Sequence, residues 1–108
     1  MAEEQRMLRG EIWNCAPTRP DGEALPRQRA VVVVSDASVL DSPYRWLHVV
    51  PLSDTDPGHL LATRTEHGWA NALELHPVYR PWLSGPVGAL TADESEALDA
   101  RLRAGIGL

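Results

Sequence analysis

At 108 residues with 44% hydrophobic side chains, the chain has material for one core and hence one domain, covering 1–108. A net charge of −5 excludes a protein that binds nucleic acid through bulk charge, and no apolar run approaches the ~20 residues a membrane helix needs. The only cysteine, Cys15, excludes an internal disulfide and makes a zinc site a poor reading, and the polar opening MAEEQRMLRG lacks a secretory h-region, so the expected compartment is the cytoplasm.

The first expected element is a short strand at 8–14 (LRGEIWN), followed by the turn-rich loop PTRPDGEALPRQ. Next comes the β-branched run at 29–35, which suits a strand covered on both faces. Residues 45–53 (RWLHVVPLS) read as a third strand, with Pro51 suggesting an edge or a bulge. Residues 60–65 and 69–75 read as two more, joined by a turn at His67-Gly68. Thr91-Ala92-Asp93-Glu94 is a capping box that opens a helix over about 92–103. Ala97, Leu98 and Leu102 share one face of that helix, Arg101 and Arg103 lie in its last turn, and Gly105 can end it. Five short strands and one closing helix predict a mainly β fold, a small barrel or sandwich.

All ten cations are arginine, the side chain suited to planar, bidentate contact with phosphate. Arg19, Arg27 and Arg29 cluster around one loop, while the acids Glu3, Glu4, Asp93, Glu94, Glu96 and Asp99 lie toward the two ends of the chain. Three arginines around a loop most often form a solvated surface; a local basic site on an acidic protein is the alternative. Arg29 is the most pointed of the three. It stands at the mouth of the valine strand, where a cation can be held rigidly, and a guanidinium there keeps its proton.

No Walker loop, GxGxxG or HExxH occurs. His48, His59, His67 and His76 are scattered rather than spaced as metal ligands, and His48 reads as a packed or hydrogen-bonded strand histidine on one face with Trp46 and Val50. Ser35 has no nucleophile elbow around it. Trp13, Trp46, Trp69 and Trp82 could stack on bases, but in so small a domain they read as core.

These segments, in order, resemble the MazF/PemK family of type II toxins. Arg9-Gly10-Glu11-Ile12-Trp13 is similar to the family's opening strand. Pro17-Thr18-Arg19, Gly22-Glu23, then Arg29 before the valines and Ser35-Asp36 follow in register. HVVPLSD is similar to the third strand's end, and GPVGALTADESEALDARL to the closing strand and helix. The resemblance implies an SH3-like barrel working as a homodimer, with single-stranded RNA in a groove at the subunit interface and a cognate antitoxin as partner. It implies metal-independent RNA cleavage with no cofactor. The catalytic arginine carries over to Arg29, the third-strand threonine to Ser53, and the loop glutamate to Glu23. Arg19 and Arg27 are the expected substrate-binding cations.

The chemistry suits those residue types. An RNA 2′-hydroxyl can attack its own phosphodiester, so the protein's task is to stabilise charge growing on the phosphate oxygens, which a fixed guanidinium and a hydroxyl can do. Arginine is a poor base, with a pKa above ~12, so the acceptor of the 2′-proton is open; Glu23 is the candidate on chemistry. The chain departs from the family pattern in three places: Ala30 stands in place of a proline, Ser53 in place of threonine, and HPVYRPWL in place of the later "qIRt…Rl" segment, with Arg80 out of clear register. The alternatives are a MazF-like binding module without cleavage and a CcdB-like toxin directed at gyrase, since the barrel alone does not separate them.

Overall fold

The computed structural model describes residues 6–18, 21, 23 and 28–108. In chain order they form β1 (Glu11–Cys15), β2 (Arg29–Val33), a one-turn helix α1 (Ala37–Leu40), β3 (Trp46–Ser53), β4 (Ala62–Thr65), β5 (Gly68–Asn71), β6 (His76–Tyr79), β7 (Leu83–Ala89) and α2 (Ala92–Ile106). Short 3-10 turns at Ala72–Glu74 and Arg80–Trp82 flank β6. Every pairing is antiparallel, and the strand order is β4-β5-β3-β2-β1-β7 with β6 also on β3. The sheet is strongly non-local in its contacts and does not close on itself, giving a barrel-like β fold with one long C-terminal helix.

The valine run explains the centre of the sheet. Alternation sends Val31 and Val33 to one face and Val32 to the other, and all three are buried. The first face packs Val31 and Val33 with Trp13, Leu47, Val49 and Val78. The second packs Val32 with Ile12, Val50 and Ala70 under Leu98 and Leu102 of α2. The expectation of a strand covered on both faces is met. Each fully buried aliphatic contributes roughly 1.5–3 kcal/mol, so β2 and its neighbours form a stiff base for whatever projects from the strand ends.

The helix starts where the sequence places it. The Thr91 side chain accepts from Glu94 N, and the Glu94 carboxylate accepts from Thr91 N at 2.9 Å, completing the capping box. It ends later than expected. Gly105 lies within the last turn, and Gly107, at φ 79°, is the left-handed residue that stops it.

Four other expectations are corrected. There are seven strands among the described residues rather than five. The expected strand 69–75 stops at Asn71, whose side chain accepts from Leu73 N and turns the chain into a 3-10 turn. Pro51 is at neither an edge nor a bulge. β3 is flanked on both sides, by β2 and by β5 and β6, and Pro51 sits where the partner on one side changes from β6 (through Val49) to β5 (from Leu52), so its missing N–H costs no ladder bond there. His48 is exposed rather than packed, a strand residue whose backbone N–H donates to Ser35 Oγ at 2.7 Å.

Candidate active site

Arg29 opens β2 and Ser53 closes β3. The ladder pairs Val31 with Pro51 and Val32 with Val50. Continued two residues, the same register sets Arg29 opposite Ser53 at the rim of the sheet. The Arg29 guanidinium leans across that rim, where Nη2 donates to the carbonyl of Leu52 at 3.2 Å, next to Ser53. Its side chain is 44% exposed, so it is anchored and still open to solvent. Of its five N–H donors, only those facing Leu52 and Glu74 meet partners among the described residues. The Ser53 hydroxyl oxygen accepts from Thr55 N at 3.2 Å, which leaves its own proton to donate. The rim thus offers several donors with no carbonyl or carboxylate yet claiming them all, a surface suited to an anion of planar oxygen geometry.

Glu74 is the carboxylate beside this arginine, with its Oε2 3.7 Å from Nη1. Asn71 Nδ2 donates to the other carboxylate oxygen at 3.3 Å, and Asn71 Oδ1 caps Leu73 N at 2.9 Å. Sequence reasoning missed this residue because it extended β5 to 75. The signal was present, since an Asn three residues before a Glu is a helical N-cap pattern, and here it forms one 3-10 turn. The candidate base, Glu23, is described and exposed, with its N–H donating to Asp21 Oδ1, and the carboxylate that pairs with Arg29 among the described residues is that of Glu74. Arg19 and Arg27, the expected substrate contacts, lie outside the described residues.

Arg80 is largely committed to structure. Its guanidinium donates to the carbonyls of Val39, Leu40, Ser42 and Tyr44, with the shortest bonds at 3.0 Å. It ties β6 to the end of α1. Arg45, by contrast, has no side-chain partner among the described residues and lines a groove of about 650 Å³ together with Trp13, Arg80 and Leu83. The reading of all four tryptophans as core is corrected. Trp13 is buried, but Trp46 is 42% exposed and packs edge-on with Trp82 and tilted on Tyr79, while Trp69 lies half-buried under Arg64. No three His, Cys, Asp or Glu side chains gather as a metal site among the described residues. Burial pushes the Cys15 thiol up, which keeps it protonated and inert.

A seven-stranded antiparallel sheet backed by a single C-terminal helix, with Arg29 and Ser53 at the ends of neighbouring strands on one rim, defines a small barrel-like β protein. Its fold is the MazF fold. The chain is similar to an endoribonuclease in complex with its cognate antitoxin from a mycobacterial species, at 17% identity over 94% of this chain and 96% of that one, with a TM-score of 0.80. It is similar to an endoribonuclease from a mycobacterial species at 16% identity, covering 96% and 94%, with a TM-score of 0.78. It is also similar to the MazE–MazF complex of Deinococcus radiodurans at 14% identity, covering 97% and 99%, with a TM-score of 0.78. No protein-family model and no curated protein sequence matches the chain. No helix of the described residues is long and apolar enough to cross a membrane.

Proposed function

We propose that the chain is a metal-independent endoribonuclease toxin that cuts single-stranded RNA and is neutralised by a cognate antitoxin. The observation that carries this reading is the position of Arg29, anchored through Leu52 and across from Ser53, on a fold shared with MazF endoribonucleases. In the proposed step, the RNA 2′-oxygen bonds to phosphorus and the P–O5′ bond breaks. The 2′-proton leaves to a base, and the 5′-oxygen takes a proton from water. The products are a 2′,3′-cyclic phosphate and a 5′-hydroxyl. Arg29 neutralises the negative charge that grows on the nonbridging oxygens, and the Ser53 hydroxyl donates to the same oxygens. RNA supplies its own nucleophile, so no metal-bound hydroxide is required by this chemistry.

The partners follow the same reading. Two of the similar structures contain an antitoxin, which supports an antitoxin for this chain. A homodimer in the cytoplasm is the working form proposed. The exposed Tyr44 and Trp46 offer apolar area for burial against a second copy. The test uses purified protein and RNA of varied sequence, with and without EDTA. Cleavage that leaves cyclic-phosphate ends, survives EDTA and disappears in Arg29→Ala supports the proposal. Intact RNA under all these conditions, with normal growth on expression, overturns it in favour of a binding module.

A further inference from the structure

The electrostatics around Arg29 contain a feature that cleavage chemistry does not require. A carboxylate sits next to the cation assigned to phosphate. At 3.7 Å the Glu74–Arg29 contact is an ion pair without a hydrogen bond, and its partners are 45% and 44% exposed. Pairs of this kind are weak, because water screens them and long side chains lose freedom in making them. A phosphate that forms direct, charge-assisted bonds can therefore displace it. Glu74 is also tethered beside the site. Asn71 Nδ2 holds its Oε1, the Asn71 carbonyl oxygen is itself committed to Leu73 N, and the His76 ring contacts the Glu74 backbone carbonyl at 2.8 Å.

We infer that Glu74 is the residue that sets the phosphate affinity of this site, as an internal counter-carboxylate that orients the Arg29 guanidinium in the free protein and opposes the phosphate that replaces it. The inference rests on the reading of Arg29 as the phosphate-binding cation. Both roles have the same origin. Leu52 O fixes one end of the guanidinium and Glu74 draws the other, so its plane is set before substrate arrives. Once a phosphate arrives, the same negative charge stays nearby and repels it. Glutamine at position 74 keeps the shape and the contact with Asn71 and removes only the charge. Because the contact with Arg29 is charge alone, this removes the draw on the guanidinium as well as the repulsion of the phosphate, and the alanine variant additionally loses the Asn71 contact.

The experiment uses the full-length chain, labelled with nitrogen-15, as wild type, Glu74→Gln, Glu74→Ala and Arg29→Ala. Wild type and the two Glu74 variants are titrated with inorganic phosphate while the Nε–H signal of Arg29 is followed by NMR, Arg29→Ala assigns that signal by its absence, and the backbone spectrum reports that each variant is folded. A single-stranded RNA pool of randomised sequence, with 2′-O-methyl riboses so that it cannot be cut, gives a second affinity. Glu74→Gln is expected to bind both probes about three- to tenfold more tightly than wild type at low salt. The gain should shrink as salt is raised. Equal or weaker binding by Glu74→Gln, or an Arg29 signal that phosphate does not move in either protein, overturns the inference. Cleavage of ordinary RNA by the wild type is measured alongside. Tighter phosphate binding in Glu74→Gln with no RNA cut by any form removes the ribonuclease reading and leaves this inference standing. Normal cleavage with unchanged phosphate affinity removes this inference alone.

Discussion

The backbone carbonyl of Ser53 lies directly against Gly68: a Cβ placed on Gly68 would stand 2.7 Å from that oxygen. Gly68 has φ +117°, where side chains are strained in any case, and it leads into Trp69, the strand partner of Ser53. Gly68→Ala therefore combines backbone strain with a clash against an atom that has nowhere to go, and we expect a loss of about 2–4 kcal/mol in urea denaturation. Gly58 is the matched control. Its φ is +79°, but a Cβ added there would meet nothing within 4 Å, so Gly58→Ala should cost only about 1–2 kcal/mol. Because the clash falls on the residue proposed to donate to phosphate, Gly68→Ala should also lower RNA cleavage, and Gly58→Ala should not.

Arg80 makes a different kind of prediction. Its guanidinium satisfies four backbone carbonyls at the junction of α1, β3 and β6. Hydrogen bonds from a charged donor contribute about 1.5–3 kcal/mol apiece when well formed, though those at one head group do not add fully. Arg80→Ala should lower the melting temperature by on the order of 10 °C. Arg80→Lys should recover little of this, since an ammonium cannot span the same carbonyls. The measurement is thermal unfolding by circular dichroism. RNA affinity per folded molecule should stay near that of wild type, because all but one Nη1 hydrogen of this guanidinium is turned to backbone carbonyls.

What the sequence carried well was whatever depends on a period of two or on local chemistry. Val31 to Val33 alternate into two cores, and Thr91 with Glu94 form the capping box their spacing predicts. Arg29 and Ser53 were legible as a pair through the family resemblance, and they lie two residues beyond the Val31–Pro51 pair, at the ends of neighbouring strands. The limits are equally specific. β6 has a proline and a histidine in a four-residue strand, too short and too polar for a pattern to show. Glu74 was hidden because its position beside Arg29 depends on Asn71 ending β5 one turn early, and on a pairing between residues 45 positions apart. Long-range charge pairs of that sort leave no periodic trace.

Glu94 links the start of α2 to the β4–β5 turn, since its carboxylate accepts from Thr91 N and from Glu66 N at 2.8 Å. Partial burial pushes its carboxyl up, but the bonds from Thr91 and Glu66 outweigh this and hold it below the usual glutamate range. A folded-state value below the unfolded one means the stabilisation is present above the unfolded value and fades as pH falls through the folded one. Glu94→Gln should therefore be less stable than wild type at neutral pH, and the gap should narrow as pH drops below about 4.3, the ordinary glutamate value. Thr91→Ala should cost about 1 kcal/mol with little pH dependence of its own. Urea denaturation of the three proteins at neutral and acid pH decides it; a gap that widens in acid would reject the assignment.

The final prediction concerns the proposed chemistry at the rim. Arg29→Ala removes the anchored cation and should nearly abolish cleavage. Arg29→Lys should rescue little, because a lysine ammonium cannot hold the Leu52 carbonyl and present a flat pair of donors to a phosphate at once. Ser53→Ala deletes one donor to a developing negative charge and should lower kcat/KM by roughly 10²–10³-fold. Ser53→Thr keeps the hydroxyl on a half-buried residue at the end of β3 and should retain most activity. The informative comparison is between kcat and KM. If Ser53 acts on charge that grows only as the P–O5′ bond breaks, Ser53→Ala lowers kcat and leaves KM nearly unchanged. A rise in KM with kcat intact would instead make Ser53 a residue that holds the RNA, with Arg29 alone stabilising the transition state.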